Sequence, residues 1–332
     1  MKKAGVFGIG ANFLRYEDEI RKEYEIVCLG DNDTKKFEWG YKGLKVLNLQ
    51  EFKNQDFDVA LVATIQGKLE IMNDLYIAGI PKEKIIPWFH GEGRMWKHKK
   101  VIYEGKDVLK AEFDDLRFVC HTSFQIAIID EIFFANSYGV YFGGDDAVVI
   151  DIGMNVGIAS LFFAHFPNVS KVYSYEPFPH IYEQAVENIA MNEDWIKNKI
   201  CPKNVGLSDY NGEEYFVRDS MHTLEPLTEN SAEDKEQVKI IEAGAEIRQV
   251  IDANNDKKIV VKIDVEGQEY KIFEEFAKEN ILSDIDIIIM ETHQGREKEL
   301  KVALEKNGFI YFDQYPSVYT DIGMLYAVNM KK

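Results

Sequence analysis

The sequence has few cysteines and no long apolar run. Cys28, Cys120 and Cys201 are its three cysteines, and none is spaced from another as in a zinc site or a disulfide framework. We therefore expect a chain that folds without disulfides, as cytoplasmic proteins do. No apolar run approaches the roughly 20 residues that a membrane-spanning helix needs. The apolar stretch after Met1 soon meets Arg15, which predicts a buried first strand and not a signal peptide.

Positive charge is also scarce. The chain carries 39 Lys and Arg against 57 Asp and Glu, a formal net charge of −18. Proteins that bind nucleic acids non-specifically need a basic face, so nucleic acid is a poor expected partner and a small molecule or glycan a better one. A length of 332 residues predicts two domains. The oligomeric state is left open, a homo-oligomer included.

The first 90 residues alternate between apolar strands and helical patterns. Predicted strands are Ala4–Gly8, Glu25–Leu29, Asp58–Ala63 and Ile85–Trp88. Such alternation predicts a small Rossmann-like α/β domain over 1–90. Its first turn has Gly8 and Gly10, and Asp31 ends the second strand, but Phe13 replaces the third glycine of the dinucleotide fingerprint. Both a nucleotide site and a packing or dimerisation module stay open for this domain.

Residues 91–146 interrupt the alternation. Glycines at 91 and 93 open the segment, and Asp130–Ala135 is its one helix-like stretch. We expect a connector that packs on the second domain, which would occupy 147–332.

The alternation resumes at Ala147. Predicted strands are Ala147–Asp151, Lys171–Tyr175, Asn204–Leu207, Lys258–Ile263, Asp286–Met290, Phe309–Phe312 and Gly323–Val328. The last two are joined without a helix, and so short a connection joins antiparallel neighbours. A parallel sheet closed by a C-terminal antiparallel hairpin is typical of methyltransferases that use S-adenosylmethionine (SAM), and not of dinucleotide-binding folds.

A glycine turn follows the first of these strands. Asp151 ends the strand, and Gly153, Asn155 and Gly157 lie in the turn before a helix. Glycine lets the backbone bend sharply and approach a ligand closely. An acidic strand end would repel a pyrophosphate but can attract an ammonium group, so these four residues are expected to hold the methionine end of SAM.

The second and third strands end in polar residues. Glu176 lies 25 residues after Asp151, near the roughly 20-residue spacing at which an acidic residue binds ribose hydroxyls. Phe178 is expected to flank adenine, and Ser208 to contact it, although turn chemistry explains Ser208 equally well.

Further acidic residues and two histidines are candidates for the reaction itself. Ligands of open α/β sheets lie beyond the carboxyl ends of the strands, where Asp264, Glu266 and Glu291 are predicted to gather. A hydroxyl acceptor needs a proton acceptor, and the candidates are His293, His222 and Asp264. Asp264 and Glu291 could instead hold a divalent metal, but the sequence is read as having no metal site.

Together these motifs resemble one family. The strings IDIGMNVGIASL, SYEPFPHIYEQAVENIAMN, NVGLSD and VKIDVEGQEYKIFEEF occur in the order and spacing of the FkbM-type methyltransferases, over roughly 130–330. The resemblance implies the SAM-methyltransferase fold and O-methylation, often of sugars in surface polysaccharides.

The leading hypothesis is thus a cytoplasmic SAM-dependent O-methyltransferase acting on a sugar hydroxyl of a nucleotide-sugar or surface-glycan precursor. Two alternatives stay open. One is an NAD-dependent nucleotide-sugar oxidoreductase that uses Gly8, Gly10 and Asp31. The other is a non-catalytic binding or scaffold protein with the same fold.

Overall fold

The computed structural model describes residues 1–36, 40–90, 96–139, 145–217, 235–293, 297–314 and 322–331. The chain divides into two compact units, Met1–Gly139 and Val140–Lys332. Among the described residues no helix is both long and apolar enough to cross a membrane.

The first unit is built on a five-stranded parallel sheet. Its strands are β1 (Lys2–Phe7), β2 (Tyr24–Gly30), β3 (Val46–Leu47), β4 (Val59–Val62) and β5 (Ile85–Pro87), in the order β3-β2-β1-β4-β5. Helices α1 (Ala11–Glu23), α2 (Leu49–Phe52) and α3 (Lys68–Ile77) connect them. The central strands are continuous apolar runs because both faces of a parallel sheet are covered. Val6, Leu29 and Leu61 are accordingly fully buried.

The segment expected to be a connector has its own structure within this unit. Strands β6 (Lys99–Gly105), β7 (Val108–Phe113) and β8 (Leu116–Cys120) form an antiparallel sheet, and α4 (Ser123–Ile129) continues into a π-helix over Asp130–Phe134. Contacts of β6 with β5 and of α4 with α3 place 96–139 in the first unit. The predicted bounds of 1–90, 91–146 and 147–332 therefore differ from the observed division, whereas packing of this segment on the second domain stays a prediction.

The second unit is built on a seven-stranded sheet. Its strands are β9 (Ala147–Ile152), β10 (Val169–Tyr175), β11 (Ile200–Lys203), β15 (Lys258–Ile263), β16 (Ile287–Thr292), β17 (Phe309–Gln314) and β18 (Gly323–Asn329). The order is β11-β10-β9-β15-β16-β18-β17. Strand β18 runs antiparallel to both β16 and β17, while the other pairs are parallel. The predicted parallel sheet with a C-terminal antiparallel hairpin is confirmed.

Helices cover both faces of this sheet. They are α5 (Ile158–Ala164), α6 (Pro179–Ala190), α7 (Asp194–Lys197), α8 (Ala243–Asp252), α9 (Glu269–Lys278) and α10 (Glu297–Asn307). Alternate residues of a strand point to opposite faces. Val148, Ile150 and Ile152 of β9 therefore share one buried cluster with α8, α9 and α10.

The predicted third strand is where sequence and structure disagree in this sheet. The strand beside β10 is β11, whereas the last two residues of the predicted Asn204–Leu207 strand belong to a small separate sheet and the first two lie in no strand. That sheet contains β12 (Gly206–Ser208), β13 (Gly212–Val217) and β14 (Lys235–Glu242), in the order β12-β14-β13. Strand β11 is half-buried at the sheet edge and includes Pro202, so it lacks the apolar run that marks the central strands.

Candidate functional site

The carboxyl ends of the four central strands of the second unit carry the predicted site residues. Gly153 follows β9, Glu176 follows β10, Asp264 follows β15 and His293 follows β16. Because these strands are parallel neighbours, their ends meet at one edge of the sheet.

The glycine turn after β9 is held by its neighbours on both sides. The N–H groups of Gly153 and Met154 both donate to the carbonyl of Tyr175. Gly153 has a φ of 86°, and a Cβ there would lie 1.8 Å from the carbonyl oxygen of Asp264. Glycine is therefore required by both conformation and space. Asn155 also has a positive φ, of 51°, and Gly157 begins helix α5 as a cap without a side chain.

Glu176 joins this turn to the end of β10. Its carboxylate accepts one hydrogen bond from Asn155 N, at 2.9 Å, and one from Phe178 N, at 3.0 Å. Burial raises the pKa of Glu176 to about 7, although the two backbone donors and the charge of Lys262 oppose this shift. An ionised carboxylate has about four acceptor positions, so two bonds to the backbone leave capacity for a diol.

Asp151 lies beneath the turn. It is fully buried, accepts a hydrogen bond from Ser160 Oγ at 2.6 Å and lies 3.2 Å from Lys262 Nζ. Burial raises its pKa. These contacts make Asp151 a support of the turn, whereas the sequence predicted contact with a ligand ammonium group; its part in holding the cofactor stays a proposal.

Lys262 is a residue that sequence reasoning missed. Its Nζ donates to the Gly153 carbonyl at 2.6 Å and lies 3.6 Å from Asp264 Oδ2. Burial alone would lower the pKa of Lys262, but the charges of Asp151 and Asp264 outweigh burial and raise it. A lysine within the otherwise apolar strand β15 was the available signal, because a buried lysine is rare unless it is paired.

The two residues predicted to contact adenine, Phe178 and Ser208, lie in different elements of the second unit. Phe178 caps helix α6, and its ring packs edge-on against Phe216 with centroids 5.6 Å apart. Ser208 is buried at the end of β12 and bonds to Asp209. Asn204, which follows β11, donates to the carbonyls of Glu176 and Pro177. It thus supports the Glu176 loop from the carboxyl end of β11, and the adenine contact of Ser208 stays a prediction.

His293 is held tightly at the end of β16. Its Nδ1 lies 2.6 Å from Glu269 Oε1, and its backbone N–H donates to the same oxygen at 2.9 Å. Tyr270 Oη donates to the His293 carbonyl. Burial alone would lower the pKa of His293, but the hydrogen bond and charge of Glu269, with the charges of Glu266 and Asp264, raise it above 6.5.

The other nitrogen of His293 faces two carboxylates. Nε2 lies 3.4 Å from Glu266 Oε2 and 3.8 Å from Glu291 Oε2. Burial raises the pKa of Glu266, and the charge of His293 opposes that rise. Glu266 and Glu291 thus lie beside His293 at the predicted rim, and the charge of Asp264 also acts on it. The imidazole is the group there that can act as a neutral base.

Two further predictions concern His222 and a metal. His222 lies outside the described residues. Within the described ranges, no group of three or more His, Cys, Asp and Glu side chains is arranged to hold a metal ion.

The first unit has a related turn with different contacts. Asp31 Oδ2 accepts from Ile9 N at 2.8 Å and pairs with Lys36 Nζ at 2.8 Å, and Oδ1 accepts from Asp33 N. Three donors thus occupy most of the about four acceptor positions of the carboxylate that would bind ribose in a dinucleotide-binding fold, against two donors at Glu176. This geometry gives no support to the oxidoreductase alternative.

Comparison with family models matches both units. Residues 151–322 match the methyltransferase FkbM domain, and residues 1–86 match the C2185-like N-terminal domain. No curated protein matches the chain.

Solved structures resemble the chain only slightly. An rRNA methylase from Streptococcus thermophilus shares 11% identity over 56% of this chain and 87% of its own, with a TM-score of 0.34. The M. jannaschii protein TYW2 in complex with AdoMet shares 15% identity over 70% of this chain and 89% of its own, with a TM-score of 0.36.

Proposed function

Because the chain belongs to the FkbM methyltransferase family and its methyl donor is SAM, we propose that it methylates a hydroxyl group of a sugar. The acceptor in this proposal is a nucleotide-sugar or a surface-glycan precursor, and the reaction serves polysaccharide biosynthesis in the cytoplasm. The observation that supports an oxygen acceptor is His293, a buried imidazole whose Nε2 faces the rim of the sheet.

The residues at the strand ends fit SAM. Glu176 is fixed by two backbone donors and keeps acceptor positions for the two ribose hydroxyls. Gly153 lets the turn lie directly against the Asp264 carbonyl, with which any side chain would collide. We assign Glu176 to the ribose, Gly153, Asn155 and Gly157 to the methionine end, and Phe178 and Ser208 to the adenine. Asp151 acts indirectly, by holding Lys262 beneath the turn.

When bound, SAM supplies a methyl carbon already activated by its sulfonium, so the protein contributes mainly positioning and proton removal. His293 Nε2 takes the proton of the acceptor hydroxyl. Glu266 and Glu291, which lie beside Nε2, accept hydrogen bonds from neighbouring hydroxyls and orient the acceptor.

Asp264 is the weaker candidate base. Its carboxylate lies 3.6 Å from the Lys262 ammonium and is therefore already paired with a cation. His293 has the opposite environment, since the surrounding carboxylates raise its pKa. Basicity near neutral pH favours His293 as the general base.

The negative charge beside His293 favours an acceptor whose reacting part is uncharged. Glu266 and Glu291 lie beside Nε2 and would repel a phosphate placed beside the reacting oxygen. The methylated part of the acceptor should therefore carry hydroxyls, with any phosphate of a nucleotide-sugar bound farther away.

The test is methyl transfer from isotopically labelled SAM to a panel of nucleotide-sugars and extracted glycan precursors, analysed by mass spectrometry. We expect a product heavier by one methyl group, whose label stays on a sugar oxygen after fragmentation. Label on a nitrogen or carbon atom, or on RNA alone, would contradict the proposal. Binding of NADH is the control for the oxidoreductase alternative, since an NAD-dependent enzyme would bind it. A scaffold protein would convert neither SAM nor NADH.

A further inference from the structure

Glu269 is the hydrogen-bond partner of His293 Nδ1 and has no role in the proposed reaction so far. It is the first residue of helix α9 and is fully buried. One of its oxygens, Oε1, receives both Nδ1 and the backbone N–H of His293. The following residue, Tyr270, donates to the His293 carbonyl. The start of α9 thus holds His293 by its ring, its N–H and its carbonyl.

This arrangement fixes the tautomer of the imidazole. A carboxylate oxygen accepts hydrogen bonds and cannot donate, so the proton of a neutral ring lies on Nδ1. The lone pair then lies on Nε2, which faces the rim and is the atom the proposed reaction requires. In the other tautomer, Nε2 would carry the proton and could not act as a base.

We propose that Glu269 is a positioning residue that holds His293 in the Nδ1–H tautomer and stabilises its positive charge after proton transfer. The proposal rests on the proposed function, because it gives His293 the role of base. Within the described residues, the second oxygen of Glu269 is buried without a hydrogen-bond donor. Its charge is therefore little screened by other partners and acts on the adjacent ring.

Other charged groups also act on His293, and their effects on its pKa have to be distinguished from the effect of Glu269. Asp264 and Glu266 approach from the loop after β15, and Glu291 from β16. Glu266 and Glu291 lie beside Nε2, whereas Glu269 lies at Nδ1. Glu269 bonds to Nδ1, the nitrogen that determines the tautomer.

A purely structural role for Glu269 is the competing explanation, because its bond to the His293 N–H would anchor the end of β16 regardless of chemistry. Glu269→Gln separates the two roles. Glutamine keeps an acceptor oxygen for both N–H groups but removes the charge. Glu274→Gln is the matched control, since Glu274 is exposed on the same helix.

The experiment is a pH titration of the full chain, labelled with ¹⁵N-histidine and free of cofactor, followed by NMR. In the unsubstituted protein we expect the neutral His293 ring to carry its proton on Nδ1 and to titrate above 6.5. In Glu269→Gln the tautomer should persist while the pKa falls by about 1 or more, because an opposite charge within hydrogen-bond distance is lost. Glu274→Gln should match the unsubstituted protein.

Enzyme kinetics give the second readout. The rise of kcat with pH should move to lower pH in Glu269→Gln, with a lower plateau and an unchanged KM for SAM. Glu269→Asp, which restores the charge on a shorter side chain, should recover the pKa of His293 in part. An unchanged pKa and pH profile in Glu269→Gln would overturn the proposal. If that variant does not fold, an Nε2–H tautomer in the unsubstituted protein overturns it just as directly.

The two proposals fail in different ways. If His293→Gln keeps full methyl transfer, His293 is not the base, while the NMR titration still shows whether Glu269 sets its tautomer. If His293→Gln is inactive and Glu269→Gln leaves the His293 titration unchanged, the base assignment stands and the role of Glu269 is wrong.

Discussion

The two units of this chain share one hydrogen bond at the first turn of the sheet, but the acidic residue that accepts it has different further partners. In each, an acidic residue after the second strand accepts a hydrogen bond from a backbone N–H in the turn after the first: Asp31 from Ile9, and Glu176 from Asn155. Asp31 is also paired with Lys36. Glu176 has no such ion pair among the described residues, and its second bond comes from Phe178 N. A shared sheet and turn therefore do not imply a shared ligand. The side chains at the strand ends, which differ between the two units, determine what can bind.

The largest test of this contrast compares the histidines after β16 and β5. His293→Gln should lower the rate of methyl transfer by about 10²- to 10⁴-fold, because a general base is lost, while the Kd for SAM stays unchanged. His90→Gln, in the first unit, should leave the rate unchanged. Stopped assays of product formation, with SAM affinity from calorimetry, provide both numbers. Equal losses in the two variants would break the contrast.

The two glycine turns provide the next test. Gly153→Ala should lower the free energy of unfolding by about 3 kcal/mol or more, since a positive φ costs about 1–3 kcal/mol and the new Cβ would overlap the Asp264 carbonyl. Gly10→Ala has open space around the new Cβ and should change stability by less than about 1 kcal/mol. Urea denaturation measures both variants. A Gly153→Ala protein as stable as the unsubstituted chain would show that the close approach is not needed.

The third test compares Glu176 with Asp31, and the expected difference in SAM affinity is smaller. Glu176→Ala should weaken SAM binding by about 1–3 kcal/mol, because the ribose hydroxyls lose a charged acceptor. Asp31→Ala should leave SAM affinity unchanged. Isothermal titration calorimetry measures both. If Asp31→Ala weakens SAM binding as much, the cofactor site is assigned to the wrong unit.

The smallest expected effect is a dependence of SAM affinity on pH. The pKa of Glu176 is about 7, against an ordinary 4.5, and hydroxyl donors favour its ionised form. Affinity should therefore rise about tenfold between pH 6 and pH 8. In the cofactor-free protein the sign for folding is opposite, since a raised carboxyl pKa stabilises the fold at low pH and this contribution is lost as pH rises through 7. Glu176→Gln should remove the pH dependence of affinity if Glu176 causes it, and not Asp151 or Lys262 nearby.

The central sheet of the second unit could be predicted because its strands are long and apolar. Strand β15 has the predicted bounds, and the hairpin of β17 and β18 was expected from their short connection. The antiparallel sheet of β6, β7 and β8 could not be predicted so easily. Its strands alternate between buried and exposed residues and turn at Asp107 and Asp114, which have positive φ values.

The site divides in the same way. Glu176 and the glycine turn follow from local spacing, since the strand, the turn and the helix are consecutive. The pairing of Glu269 with His293 spans 24 residues and depends on the register of β15 against β16. Glu269 alone looks like an ordinary acidic residue at a helix start, so nothing local connects it with a histidine.

The contact between Lys262 and the Gly153 carbonyl, beside the close approach of Gly153 to Asp264, has a consequence for engineering. The turn after β9 and the end of β15 are in direct contact through these residues, so neither can be exchanged without the other. Under the proposed function, acceptor specificity should be open to redesign at Glu266 and Glu291, which take no part in these contacts. Replacing the glycine turn with one from another protein would require replacing the end of β15 with it.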